Sequence, residues 1–397
     1  MSKSSIYLPA GFRFAGVTCG IKASGKPDVS LIVSDRPLVA AGVYTTNQIV
    51  AAPVVLCRSR TPSSTVRAVV TNSGNANACT GSQGDADAKA MCAHVASLVG
   101  CDETDVLVMS TGVIGKLLPM EKVKSGIEHA VAELADREEA FFAAAEAIRT
   151  TDKDRKTESR ELELGGESIR IAAMAKGAGM IAPNMATMLS VICTDASIEP
   201  KEANAMLRRV ARVSYNRVSV DGHTSTNDTL LLLASGTGTP LQGDSLCLFE
   251  QELTELAIQL AKQLVEDGEG ATHVMQIRVT GATNDASAET IAKTVAASPL
   301  VKTAITGGDP NWGRMVSAAG YAGEPIEPAK VSLRVCEELI YENGTPLKFD
   351  AASLSATMKE HPQVNLDLCV GGGNGEAVYW SSDLTTDYVR FNSEYTT

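Results

Sequence analysis

The feature that most constrains this chain is an alternation of two hydrophobic periods. Short runs rich in Val, Ile, Leu and Ala recur at 29–34, 66–72, 106–110, 168–174, 188–194, 229–235, 274–281, 330–336 and 364–370. Such runs, bounded by Gly, Asn, Asp or Ser, read as strands. Between many of them the apolar residues return every three or four positions: 85–99, 120–134, 137–148, 201–213 and 248–265. That spacing reads as amphipathic helix, and Gly100 after the first segment is a stop signal. A chain that alternates in this way folds as α/β or α+β.

Composition narrows the class. With 397 residues, 44% hydrophobic and 21% charged, the chain can bury a large core. A net charge of -12 argues against a nucleic-acid partner, which calls for a basic face. The N-terminal MSKSSIYLPAGF has no apolar stretch of signal-peptide length. No apolar run reaches the roughly 18 residues of a membrane span, so a soluble cytoplasmic protein is expected. The cysteines are odd in number, without a C-x-x-C pair, and mostly set in apolar runs. Buried, reduced thiols and no metal site are the expectation. The charged stretch 152–167 is expected to be exposed.

One segment combines turn chemistry, a cation and a hydroxyl: KGAGMIAPNMATM at 176–188. Its glycines and proline turn the backbone tightly, Lys176 is its cation, and Thr187 stands at the head of an apolar run. A threonine hydroxyl is a weak nucleophile without a base beside it. Cutting the Ala186–Thr187 bond would free the threonine's own α-amine for that role. The residues alone equally allow a β-branched side chain that only opens a strand. Likewise STGVIG at 110–115 lies between a strand and a helix. It is either a plain turn or a set of N–H groups facing a developing oxyanion.

The segment 176–188 resembles the self-cleavage segment of the ornithine acetyltransferase family, the bifunctional glutamate N-acetyltransferases of arginine biosynthesis. So do NSGNANACTG at 72–81, STGVIG at 110–115, YNRVSVDGHTSTNDT at 215–229, EDGEGAT at 266–272, DPNWGR at 309–314 and NSEYTT at 392–397, in the family's order and nearly end to end. The resemblance implies an αββα-type sandwich of the N-terminal-nucleophile kind. It implies self-cleavage into chains 1–186 and 187–397 that stay together, and an α2β2 assembly. It implies Thr187 as nucleophile and Thr111 with Gly112 as the oxyanion hole. Thr150, Lys176, Thr187, Glu269, Asn392 and Thr397 are implied as substrate contacts, with Thr151 close enough to Thr150 to exchange with it. Lys176 suits a substrate carboxylate and Glu269 an ammonium. The implied substrates are N2-acetylornithine and glutamate. No cofactor is implied, although acetyl-CoA is a possible second donor. His223 departs from the family pattern, which has an acidic residue there. The motifs at 72–81 and 309–314 could border the site or only brace it.

Two rival readings keep the same residues. A self-processing amidase or aminopeptidase would use water as acceptor. A binding relative would keep the fold without the chemistry.

Overall fold

The computed structural model describes residues 6–182 and 188–394. The chain forms two compact units. The first runs to Asn216 and resumes over His223–Leu264; the second comprises Arg217–Gly222 and the chain from Val265 onward. In chain order the first unit holds β1 (Arg13–Val17), β2 (Val29–Tyr44), α1 (Ala52–Arg60), β3 (Ser63–Asn75), α2 (Gly81–Val99), β4 (Val106–Val113), α3 (Met120–Ala132), α4 (Glu138–Ala147), β5 (Lys156–Leu164), β6 (Glu167–Lys176), β7 (Leu189–Thr194) and α5 (Pro200–Val213). The short β8 (Val218–Ser219) belongs to the second unit. The chain returns to the first for β9 (Thr229–Ala234) and α6 (Gly243–Glu266).

These strands form one sheet in the order β4-β3-β2-β9-β7-β6-β5, with β1 also on β2. The sixteen-residue β2 belongs to two arms of it. Residues 29–33 pair with β1 and β3, and residues 39–44 pair with β9. The register shifts between Val33 and Leu38, where Ser-Asp-Arg-Pro interrupts the apolar run and Pro37 has no N–H to give. One core joins both arms: Leu31, Val33 and Val69 from the first, Met174, Val191 and Leu231 from the second, with Met91, Ile127 and Phe141 from the helices. β7 and β9 pair in parallel, and every residue in both is buried. Their unbroken apolar runs therefore sit mid-sheet with both faces covered. β5, KTESRELEL, takes the edge, where Glu161 and Glu163 face solvent and discourage pairing with another chain.

The second unit carries β10 (Val274–Ala282), α7 (Asp285–Ala297), α8 (Pro299–Gly307), α9 (Trp312–Gly320), β11 (Ser332–Val335), β12 (Glu338–Glu342), β13 (Thr345–Pro346), α10 (Ala351–Glu360), β14 (Gln363–Cys369), β15 (Gly375–Ser382) and α11 (Thr386–Glu394). Its sheet runs β13-β12-β11-β14-β10-β15-β8. Ile277, Val279, Leu366 and Tyr379 of that sheet share a core with Ile291, Val295 and Met358 of its helices.

The mixed α/β expectation holds, with helices layered on sheet as an αββα class requires. Each strand run read from the sequence overlaps a strand, though of 330–336 only Ser332–Val335 is extended, and the five helical segments became α2 to α6. Gly100 ends α2 in the left-handed region, φ 72°. Two readings need correction. The stretch 152–167 is not uniformly exposed: Asp152 and Lys156 are 5% and 2% exposed, because each neutralises the other inside the fold. The thiols are free but not uniformly buried. Cys57, Cys92 and Cys193 are buried, while Cys79 and Cys247 are exposed. Among the described residues no helix is long and apolar enough to cross a membrane.

Phe141 is fully buried, with its ring edge-on to Phe14 at 5.2 Å between centroids. Phe141→Ala leaves a cavity between α4 and β1 and is expected to cost about 3–5 kcal/mol. Urea unfolding of the two proteins measures it.

Candidate active site

The site is built at one end of the first unit's sheet. There β4 finishes in Ser110-Thr111-Gly112-Val113 beside the end of β3, with Ser73 opposite Thr111 and Gly74 opposite Gly112. Gly112 has φ 131°, a region closed to other residues, and a Cβ there would stand 2.4 Å from the Gly74 carbonyl carbon. The two backbones thus approach as closely as glycine allows.

β6 reaches the same place. Its last residue, Lys176, is 2% exposed, and its Nζ donates to Thr111 Oγ1 at 3.3 Å. A buried ammonium needs counter-charge, and Asp152 supplies some of it. Asp152 Oδ1 accepts from Lys156 Nζ at 2.7 Å and from the Gly177 amide at 2.6 Å; Oδ2 accepts from the Thr150 amide at 3.0 Å. Burial by itself would raise the Asp152 pKa. The charges of Lys176 and Lys156, with these hydrogen bonds, more than reverse that and hold the carboxyl below the usual range. Thr150 and Lys176, chosen from sequence, are therefore linked through Asp152, a residue the sequence reading passed over, and Thr111 joins them through Lys176. Lys22 is a third cation, lowered to about 8 chiefly by burial. Its side chain packs on Gly74.

The motif at 72–81 turns out to be a brace. Asn72 Nδ2 donates to Asn75 O at 2.8 Å, and Asn72 Oδ1 accepts from Ser110 Oγ at 2.6 Å. Asn75 holds the Lys116 and Leu117 carbonyls, and Asn77 holds Gly84 O in the first turn of α2. The segment 225–229 is a second brace. Asn227 Nδ2 donates to Ala76 O at 2.6 Å and Ser110 O at 2.9 Å, while Asp228 Oδ1 accepts from the Met188 amide at 3.1 Å. Neither Asn227 nor Asp228 was singled out from the sequence. The signal available was an unbroken polar run, Thr224 to Asp228, directly before a strand that is apolar after its first residue.

In the second unit, Glu269 Oε2 accepts from Asn392 Nδ2 at 3.1 Å, so two residues far apart in sequence meet. The 309–314 motif is structural: Asn311 caps α9 through the Arg314 amide, and Trp312 stacks on Tyr341 at 5.2 Å. His223 is exposed. Ala186, Thr187 and Thr397 lie outside the described residues.

A hydroxyl beside a buried ammonium, in a glycine-lined corner of a mixed α/β sheet, suits a group-transfer enzyme that handles developing negative charge. Comparison with known proteins gives the particular family. The ArgJ family model matches residues 13–397. The arginine biosynthesis bifunctional protein ArgJ of Rhodopirellula baltica is 61% identical, over 99% of this chain and 97% of its own. That of Thermosynechococcus vestitus is 44% identical over 98% and 96%. Among solved structures, the arginine biosynthesis bifunctional protein of Bacillus halodurans is 36% identical with a TM-score of 0.50, covering 51% of this chain and 96% of that one. The chain belongs to the ArgJ family and is an acetyltransferase.

Two outcomes follow from the geometry. Asp152→Asn removes counter-charge from Lys156 and Lys176 inside the fold and is expected to cost about 3–5 kcal/mol at pH 7. Because the folded carboxyl is held low, wild-type Asp152 contributes its full stability above the ordinary Asp pKa of about 3.9 and loses it as pH falls below that. The gap between the urea midpoints of the two proteins should therefore be smaller at pH 3 than at pH 7, and should close only at pH values below the depressed folded pKa. Gly112→Ala drives a methyl into the Gly74 backbone; acetyl transfer is expected to fall on the order of 100-fold, while secondary structure by circular dichroism persists.

Proposed function

We propose that this enzyme moves an acetyl group from N2-acetylornithine to glutamate through an acetyl ester on Thr187, after cutting its own chain between Ala186 and Thr187. One observation carries the reading. Lys176 and Leu189, the residues that bound the segment, face each other in register on β6 and β7. The chain between them must depart from and return to the corner where Lys176 meets Thr111. A cut at 186–187 leaves both stems in the sheet. Strands from after the cut, β7 and β9, lie between strands from before it, β6 and β2, so ladder hydrogen bonds on both sides hold the halves together. The Bacillus halodurans chain, which aligns over 96% of its own length with only 51% of this one, agrees with a family whose working chains are half-length.

In the first half-reaction Thr187 Oγ attacks the acetyl carbonyl and its proton passes to the Thr187 α-amine. Thr111 and Gly112 stabilise the oxyanion. The tetrahedral intermediate collapses, the C–N bond breaks, and ornithine leaves with the proton on its amine. In the second half the glutamate amine attacks the acetyl ester, and Thr187 Oγ recovers its proton as N-acetylglutamate departs. Lys176 binds a substrate carboxylate, assisted by Thr150. Glu269, with Asn392 and Thr397, takes the ornithine ammonium. Acetyl-CoA serves as an alternative donor to the same threonine, the working form is α2β2, and the setting is cytoplasmic.

A denaturing gel of active protein should show two fragments. Thr187→Ala should run as one full-length band and transfer no acetyl group. With N2-acetylornithine as donor, wild type should yield N-acetylglutamate. Release of free acetate with no N-acetylglutamate would overturn the transferase reading in favour of a hydrolase.

A further inference from the structure

We propose that Asn227 and Asp228 are a positioning pair that sets the nucleophile of the acetyl transfer against its oxyanion donors. The inference rests on the function proposed above. A peptide unit is planar, so fixing its carbonyl also fixes its N–H. The Ser110 carbonyl belongs to the same unit as the Thr111 N–H, and Asn227 Nδ2 donates to that carbonyl at 2.9 Å. The Met188 N–H belongs to the unit whose carbonyl is that of Thr187, and Asp228 Oδ1 accepts from it at 3.1 Å. Two neighbouring side chains therefore hold the peptide entering Thr111 and the Met188 amide, the group that follows Thr187 in the chain.

The pair is itself immobilised. Asn227 Nδ2 also donates to Ala76 O at 2.6 Å, Asn227 Oδ1 accepts from Thr226 Oγ1 at 2.6 Å, and the Asn227 amide donates to Ser225 Oγ at 3.1 Å. The Asp228 carbonyl accepts from the Thr45 amide at 3.0 Å, and the Thr229 amide donates to Met188 O at 3.1 Å. Asn227 and Asp228 are 4% and 0% exposed. Both hydrogens of Asn227 Nδ2 are thus spent on the frame, which ties β4 to the residues that follow β3 and β2 and precede β7.

Asp228 has one oxygen left over: Oδ2 is buried and accepts no hydrogen bond among the described residues. A carboxylate would suffer most there, whereas a neutral acid or an amide would suffer less because it carries no charge. Burial accordingly pushes the Asp228 pKa well above the usual range, and the Met188 amide, the Thr45 and Ser225 hydroxyls and the Lys176 charge offset only part of that. An amide should then stand in for the acid, because Asn keeps the oxygen that Met188 needs.

The test uses the full chain and the variants Asn227→Ala, Asp228→Ala and Asp228→Asn, each verified as folded by near-ultraviolet circular dichroism. Self-cleavage is followed by mass spectrometry, and kcat and KM are measured for N2-acetylornithine and glutamate. Displacing either peptide acts on the reaction rather than on substrate binding. Both alanine variants should lose on the order of 100-fold in kcat with KM little changed, and should cleave more slowly. Asp228→Asn should recover at least roughly a tenth of wild-type kcat. If folded alanine variants match wild type in kcat and cleavage, or change only KM, the positioning role is wrong. If Asp228→Asn is as impaired as Asp228→Ala, the neutral-acid part is wrong. Alanine variants too unstable to fold alongside a fully active Asp228→Asn would mark a purely structural role and overturn the proposal. A wild type that transfers no acetyl group overturns the underlying function instead.

Discussion

The first unit depends on one hydrogen-bonded row. Lys176 pairs with Leu189, Leu189 with Thr229, and Thr229 with Tyr44, so β6, β7, β9 and β2 end together. Strand register is fixed here because β7 and β9 are buried on both faces, and a slip would push apolar side chains out of the core. With the row set, everything that follows it in the chain is delivered to one corner. Lys176 arrives from one strand, Gly177 continues to Asp152, and Met188 enters beside Asp228. The parallel pair β3–β4 brings Thr111 and Gly112 there by a separate route.

A corner that gathers charges must keep them out of water without leaving them alone. Three groups at this sheet end, Asp152, Lys156 and Lys176, are nearly fully buried. They persist because each is hydrogen-bonded and opposed by unlike charge. Asp228 is treated in the opposite way. Its partners are too few to hold a full negative charge, so burial favours its neutral form. One low-dielectric pocket therefore keeps one carboxylate strongly ionised and drives another toward neutrality. The difference lies in their neighbours, since the residue type is the same.

Much of this was legible in the sequence, and the limits have physical causes. The strands were readable because apolar runs of that length and branching pack on sheets. The helices α2 to α6 were readable because one face is apolar at helical spacing. Ala-rich α7 and polar α11 carry little such contrast and were missed. Thr111, Gly112, Thr150 and Lys176 stood out through motifs, yet Asp152 did not: it lies in a charged stretch that reads as solvated surface. Its burial depends on Lys176, twenty-four positions later and one strand away. Asn227 and Asp228 sat inside a recognised motif, but nothing local in a polar run says that it ties together the ends of several strands.

The sequence by itself determined the mixed α/β class, the family to which the chain belongs, and the bond whose cleavage would expose a threonine. Those depend on local periodicity and on contiguous motifs, which a linear chain carries openly. Tertiary structure alone decided which polar residues meet, which carboxyl stays charged, and why the residues on either side of the proposed cut lie interleaved in one sheet. Those properties depend on distances between residues far apart in the chain. Burial and the Coulomb interaction respond to distance in space, and sequence separation does not report it.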